Sequence, residues 1–384
     1  MIIGIIDAEI MGKSSHRFPN LVCMKLSAYY KEQGHAVYLC TDYDKIDCFD
    51  KVFISKVFIK TNIPCEPENG DKNETNVVEY YSNNEFLKNP KISYGGTGFY
   101  YEKAPRLDPE IEHHMPDYHL YDEWVAECIS NGVKKKEFEM YTDYSIGFLT
   151  RGCFRQCQFC VNRVYKKCAK HSPLSEFYDP ERKKICLLDD NFFACPDWKE
   201  LIAEVKATGK RFVFKQGLDE RLLTEDKIEE MNTWNYDGNF IFAFDNVADA
   251  DVIVPKLELL KKLKYGKMFY CFCGYDREGK YDEEFWKNDI ENLFKRIKWL
   301  QENGCCPYIM RHENYKNSPY EGIYITASMF YNSFSLAHKM SFNQFCEKRV
   351  EQGRPSNAKY RDIFANKYPD IAEKYFYENF FKSY

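Results

Sequence analysis

The sequence predicts an α/β protein: an N-terminal parallel sheet with crossover helices, then a partial (β/α)6 barrel, then an aromatic helical C-terminal segment. Three observations predict this. Short continuous apolar runs such as Ile2–Ile6 have the length and character of strands buried on both faces. These runs alternate with stretches of helical spacing, which calls for parallel strands joined by crossover helices. After residue 140 the strand-then-helix unit recurs six times. The 384 residues suit two or three domains, which we place at 1–125, 126–318 and 319–384.

The first strand is Ile2–Ile6. It meets Asp7 and Glu9 with neither a basic flank nor a cleavage site, so it reads as a buried strand, not a signal peptide, and a cytoplasmic location is expected. Leu21–Gln33 places Leu21, Met24, Leu26, Ala28 and Tyr29 at helical spacing, and Gly34 closes it. His35–Leu39 and Lys51–Ile59 follow as strands. The segment Asn62–Asn76, rich in Pro, Asn, Gly and charge, is a loop. Gly95-Gly96-Thr97-Gly98 is a tight turn, and Pro105–Trp124 is a connector. Strands are then expected at Tyr144–Leu149, Ile185–Leu188, Arg211–Lys215, Asn239–Phe244, Lys267–Cys273 and Cys306–Met310. Helices are expected at Asp197–Ala207, Thr224–Trp234, Asp249–Leu263 and Asp282–Glu302, and the tail Pro319–Tyr384 is helical and aromatic.

Composition narrows the function. Fifty-four Lys and Arg against 59 Asp and Glu give a net charge of −5, so no global basic field gathers nucleic acid. No apolar run approaches the ~18 residues of a membrane span. Sixteen cysteines without an export signal point to reduced thiols, and the question becomes whether any of them bind metal.

One segment answers it: Arg151-Gly152-Cys153-Phe154-Arg155-Gln156-Cys157-Gln158-Phe159-Cys160. Three cysteines at spacings of four and three follow directly on a strand, so one loop can turn three thiolates onto a small inorganic cluster. A structural zinc site needs four ligands, usually as two separated pairs. With three, one iron of a [4Fe–4S] cluster stays open to a chelating substrate.

This spacing resembles the signature of the radical S-adenosylmethionine (radical SAM) superfamily. The resemblance implies that Cys153, Cys157 and Cys160 hold the cluster and that S-adenosylmethionine chelates the open iron. It also implies reductive cleavage to a 5′-deoxyadenosyl radical. Phe159 matches the aromatic position beside the adenine. Leu187-Leu188-Asp189-Asp190-Asn191-Phe192-Phe193, at the end of the second barrel strand, looks like the motif holding the methionine ammonium, in the form typical of the cobalamin-associated branch. Lys215-Gln216-Gly217-Leu218-Asp219 resembles the same branch, with Gln216 facing the cavity. By strand-end position, Asp245 is assigned to the ribose hydroxyls, Gly274 to the fifth strand end and Arg311 to the adenine.

The N-terminal part is similar to a cobalamin-binding Rossmann-like module. Such modules carry Asp-x-His-x-x-Gly after the first strand, the His being the lower cobalt ligand. Here the stretch is Asp7-Ala8-Glu9-Ile10-Met11-Gly12, with Glu9 in the His position, and a carboxylate is a poor substitute for imidazole on cobalt. Gly95–Gly98 resembles the turn that lets the nucleotide tail pass.

The resemblance thus implies an enzyme acting on a small-molecule substrate, by cobalamin-dependent methyl transfer or by ring rearrangement. An electron donor such as flavodoxin or ferredoxin would serve it. Two other readings stand beside it: a radical SAM enzyme modifying RNA or peptide without cobalamin, and a non-catalytic iron–sulfur or zinc protein. The −5 charge argues against nucleic acid. Cys271 and Cys273 alternate on one strand and so share a face, pointing into the barrel or simply buried. His113, His114 and His119 read as surface residues, and Lys134–Lys136 and Arg163–Lys170 as solvated charge runs or guides for a phosphate-bearing substrate. The aromatic tail is read as a seal over the barrel.

Overall fold

The computed structural model describes residues 1–384 apart from 14–15, 68–69 and 382–384. It has the mixed α/β architecture with parallel sheets and many helices that the sequence predicts. By internal packing the chain divides into two units, Met1–Phe212 and Val213–Tyr384.

In the first unit, β1 (Ile2–Asp7), β2 (Ala36–Leu39), β3 (Lys51–Ser55) and β4 (Ile92–Gly95) form a parallel sheet in the order β2-β1-β3-β4. The register sets Ile3 opposite Val37 and Asp7 opposite Ser55, so the C-terminal ends of β1 and β3 lie side by side. The helix Leu21–Glu32 starts where the Asn20 side chain accepts the N–H groups of Val22 and Cys23. It packs Cys23, Met24 and Leu26 with Ile3 and Ile5 into one core, while Ile6, Val52, Ile54, Tyr81 and Phe99 form a second. Two expectations change here. The strand expected at Lys51–Ile59 stops at Ser55, because Lys56 turns its side chain into the protein and the chain folds back over it. The four-residue β4 was not foreseen.

β5 (Tyr144–Gly147), β6 (Thr150–Arg151), β7 (Ala169–Lys170) and β8 (Lys184–Leu187) follow. β5 pairs in parallel with β8, Tyr144 opposite Lys184. The third strand of that sheet, β9 (Arg211–Phe214), begins at the end of the first unit. β6 and β7 form a two-residue antiparallel ribbon, Thr150 opposite Lys170 and Arg151 opposite Ala169. Everything between residues 151 and 169 is the loop that this ribbon closes.

The second unit holds β10 (Phe240–Ala243), β11 (Lys267–Cys273) and β12 (Cys306–Arg311), all parallel. The helix Glu283–Glu302 starts at the Asp282 cap and buries Trp286, Ile290, Leu293, Phe294, Ile297 and Leu300. Along β11, Phe269, Cys271 and Cys273 are buried, whereas Met268, Tyr270 and Phe272 are less so. The shared face of Cys271 and Cys273 is therefore the covered one. Helices Glu321–Tyr331, Phe342–Glu351, Ser356–Lys367 and Pro369–Tyr375 make up the aromatic tail. Part of it covers the free edge of β12, where the Asn332 side chain accepts the Ile309 N–H (2.6 Å) and donates to the Ile309 carbonyl (3.2 Å). Phe342 meets Phe294 of the long helix edge-on, and Phe376 packs against the same ring at a tilt. Among the described residues no helix is long and apolar enough to cross a membrane.

Candidate functional site

The cysteine loop is held at its base, its ends and its middle. Gly152 sits at φ +98°, and a Cβ there would lie 2.2 Å from the Lys167 carbonyl oxygen, so glycine lets the first cysteine follow directly on the ribbon. Gln156 adopts φ +53° between the first two cysteines, and its amide donates to the Tyr165 carbonyl. The Cys160 N–H donates to the Cys157 carbonyl (3.0 Å). Arg151 lays its guanidinium over Phe148 (4.0 Å) and Tyr165 (5.4 Å), with Asp190 at 3.9 Å.

The segment after β8 does most of the holding. Asp189, fully buried, accepts the Thr150 N–H (2.7 Å), the Thr150 hydroxyl (2.6 Å) and the Leu149 N–H (3.3 Å). Burial raises its pKa to about 7 in spite of those bonds. Asp190 straps the two ends of the loop: Oδ2 accepts the Gly152 N–H (2.7 Å), one residue before Cys153, and Oδ1 accepts the Asn162 amide (2.6 Å), two residues past Cys160. Asn191 donates its amide to Cys153 Sγ (3.4 Å), which also accepts the Arg155 N–H (3.4 Å). The strand-end motif and the cysteine motif thus meet. The carboxylates singled out for the methionine ammonium are already engaged with the loop's own N–H groups.

Cys153, Cys157 and Cys160 are in no disulfide, and each is part-exposed. Burial raises the Cys160 pKa, with Asp190 and Cys153 adding to it. Among the described residues no three His, Cys, Asp or Glu side chains converge as a ready-made site for a single metal ion, these thiols included. What fits an iron–sulfur cluster is the donor chemistry: three soft sulfurs on one closed loop, with N–H donors aimed at one of them. Phe159 is half-buried on the same loop. Asn162, Thr150 and Tyr165 were not foreseen as part of this site. The position of Asn162, so soon after the third cysteine, was the available signal.

Gln216, Asp245, Gly274 and Arg311 lie in the second unit. Gln216 is exposed. Asp245 accepts the Phe272 N–H (3.0 Å), and burial raises its pKa. Gly274, at φ +76°, donates its N–H to Asp289 (2.9 Å), and Arg311 is exposed with its guanidinium 4.5 Å over Tyr315. The ends of β10 and β11 are tied by the buried Arg296, which donates to the carbonyls of Phe244 and Phe272. Glu220 is buried with Oε2 accepting the Ala243 N–H (3.2 Å) and Oε1 3.6 Å from Arg221. Burial, with Asp219 beside it, raises its pKa to about 8. Native Glu220 therefore keeps a proton that the unfolded chain releases between about pH 4.5 and 8, so stability falls as pH rises through that window. Glu220→Gln, neutral throughout, is expected to flatten the decline in Tm between pH 6 and 9. An unchanged slope would show that Glu220 titrates in its ordinary range.

The turn after β1 has a different character. Glu9 Oε1 accepts the N–H groups of Val57 and Phe58 (3.1 Å each), and Oε2 accepts the Thr61 hydroxyl (2.6 Å). Lys56, wholly buried, donates to the carbonyls of Ile59 and Gly98 (3.0 Å each) and to the Tyr81 hydroxyl, and burial lowers its pKa to about 7. The glycine turn closes on this same segment: a Cβ on Gly96 would stand 2.3 Å from the Lys56 carbonyl oxygen. With both Glu9 oxygens engaged, and a carboxylate rather than an imidazole at the motif position, Glu9 does not fit as a lower ligand to cobalamin. His113, His114 and His119 pair with Glu176, Glu32 and Asp122 at the surface.

No protein-family model matches the chain, and no curated protein sequence does. Two solved structures are similar to it, both of the cobalamin-dependent S-adenosylmethionine radical enzyme OxsB. The apo form gives a TM-score of 0.34 at 14% identity, over 81% of this chain and 49% of that one. The form with aqua-cobalamin bound gives 0.32 at 12% identity over the same shares. The chain thus spans about half the length of these structures, and at such scores the likeness fixes neither fold nor activity.

Proposed function

We propose that the protein is a radical SAM enzyme in which Cys153, Cys157 and Cys160 ligate a [4Fe–4S] cluster. It would use S-adenosylmethionine to generate a 5′-deoxyadenosyl radical and modify a small organic substrate. The observation that carries this reading is the ribbon-closed loop of three cysteines, strapped at both ends by Asp190, with Asn191 donating to Cys153. When bound, the cluster supplies the electron that breaks the S–C5′ bond of the sulfonium.

The chain's own residues hold the loop and shape the surroundings. Asp189 and Asp190 fix the loop, Asn191 donates to Cys153 Sγ, and the resemblance assigns the methionine ammonium to this same segment, 189–191. Phe159 offers a ring to the adenine. Gln216, Asp245, Gly274 and Arg311 are proposed as cofactor-binding residues, Asp245 for the ribose hydroxyls and Arg311 for the adenine. The functional borders at 125 and 318, and a cytoplasmic, cluster-reducing environment, belong to the same proposal. By internal packing the border falls between Phe212 and Val213.

Cobalamin-dependent methyl transfer is the second reading, favoured by the parallel β2-β1-β3-β4 sheet and the Gly95–Gly98 turn. The engaged Glu9 turns us toward hydrogen abstraction or rearrangement without a lower-ligated cobalamin. One experiment addresses both. After anaerobic reconstitution with iron and sulfide, SAM and dithionite should give slow 5′-deoxyadenosine formation even without substrate. Added hydroxocobalamin should elute free on gel filtration. A colourless product, or zinc in place of iron, would support the scaffold reading instead. A retained corrinoid would return the methyl-transfer reading to first place.

A further inference from the structure

Two consecutive cysteines stand where β12 begins, and their surroundings differ. Cys305 is buried, with Sγ 3.7 Å from the Asn303 carbonyl. Cys306 is half-buried, and its Sγ lies 3.8 Å from Nε2 of the exposed His338. That histidine is held. Its ring stacks on Phe381, with centroids 3.6 Å apart and 18° between the planes, and its carbonyl accepts the Asn379 amide (3.0 Å). The Phe381 N–H donates in turn to the Asn379 side chain (3.0 Å). A reachable thiol beside a fixed imidazole is a nucleophile with its base. Among the described residues no third His, Cys, Asp or Glu completes a metal site with them. Burial raises the Cys306 pKa, and the charge of Lys267, which precedes the register partner of Cys306, opposes that rise. Burial lowers the His338 pKa, so the imidazole is neutral at pH 7 and able to accept a proton.

We infer that Cys306 and His338 form a thiol-exchange site that takes an anionic low-molecular-weight disulfide of the glutathione type. Cys306 Sγ attacks one sulfur of the disulfide while its proton passes to His338 Nε2. A new S–S bond joins the protein to half of the disulfide, the old S–S bond breaks, and the departing thiolate takes the proton from the imidazole. The Cys306 sulfur is oxidised and the departing sulfur reduced, so the disulfide is the only oxidant required. An excess of the matching thiol reverses the exchange. The preference for an anion rests on Lys267, whose charge acts on both cysteines and which pairs with no carboxylate among the described residues. The pair stands at the start of β12 and Arg311 at its end, roughly 16 Å away along the strand. The exchange site is thus separate from the residues assigned to the cofactor, and it does not depend on the function proposed above.

The test uses the full chain and peptide-level mass spectrometry, which reads each cysteine separately. With excess glutathione disulfide at pH 7, Cys306 is expected to gain a glutathionyl group at least about tenfold faster than the exposed Cys48. Dithiothreitol should remove it. His338→Gln should slow the reaction at Cys306 severalfold at pH 7 and converge on wild type at about pH 10, where the thiolate forms without a base. A merely structural role for His338 would change the rate alike at both pH values. Lys267→Gln should slow glutathione disulfide severalfold while cystamine, a cationic disulfide, reacts as fast as before or faster. A Cys306 no more reactive than Cys48, or a rate unchanged by His338→Gln at pH 7, overturns the site. Equal slowing of both disulfides in Lys267→Gln overturns the anionic preference. A Cys305–Cys306 disulfide with no glutathionyl group retained overturns the mixed disulfide as the product.

Discussion

Alanine in place of Cys157 is expected to leave a colourless protein that forms no 5′-deoxyadenosine. The loop offers three sulfurs, and the backbone between them is already shaped: Gln156 at φ +53° precedes Cys157, and the Cys157 carbonyl receives the Cys160 N–H. No other cysteine belongs to residues 154–159 apart from Cys157 itself, so nothing nearby on the loop replaces the lost thiolate. Iron content should fall from about four per chain to well under one after identical reconstitution. Product should fall by at least 100-fold. The fold should survive, because Cys157 is part-exposed and, unlike Ile146 or Phe177, is not among the buried core residues. Cys48→Ser, at an exposed cysteine in the N-terminal part, is the control and should keep both colour and product. A brown, active Cys157→Ala protein would remove the basis of the functional reading.

Much of this site was legible because its signals are local. The 4-and-3 cysteine spacing, the apolar strand runs and the start of the long helix at Asp282 are each contained within a few residues. What escaped was fixed by distant partners. The ribbon of Thr150–Arg151 with Ala169–Lys170 has two residues a side, two of them exposed, so no pattern of burial announces it. β4 is four residues after Asn89-Pro90 and exists because β3 is there to pair with. Arg296 and Asp289 occupy what reads as the polar side of an amphipathic helix. Their burial makes sense once the carbonyls of Phe244 and Phe272 and the N–H of Gly274 are seen to need partners. Asp189-Asp190-Asn191 was recognised as a motif, but its acceptors' commitment to the cysteine loop is a matter of tertiary contact.

That commitment separates two roles that a loss of activity alone would confuse. Asp190→Ala removes both straps at once, leaving the Gly152 N–H and the Asn162 amide to find other partners. Hydrogen bonds to a charged acceptor contribute about 1.5–3 kcal/mol each when one partner is lost. The apo protein should therefore lose a few kcal/mol of stability on denaturant unfolding, on the order of one such bond or two. The loop ends should gain hydrogen exchange, and iron incorporation should fall severalfold. Asp190→Asn restores at most one strap, since its amide nitrogen cannot accept the bond that the second oxygen accepts. Asn191→Ala acts differently. It removes a donor to Cys153 Sγ, and such donors favour the more negative, reduced form of a sulfur-ligated centre. Iron content should stay near wild type while the midpoint potential, followed by EPR during redox titration, moves to more negative values. The two variants thus dissociate occupancy from potential: Asp190→Ala lowers the first at constant midpoint, and Asn191→Ala shifts the second at constant occupancy. If both lowered iron equally and neither moved the potential, the contact to Cys153 would be packing and not tuning. The segment after β8 would then be a brace alone.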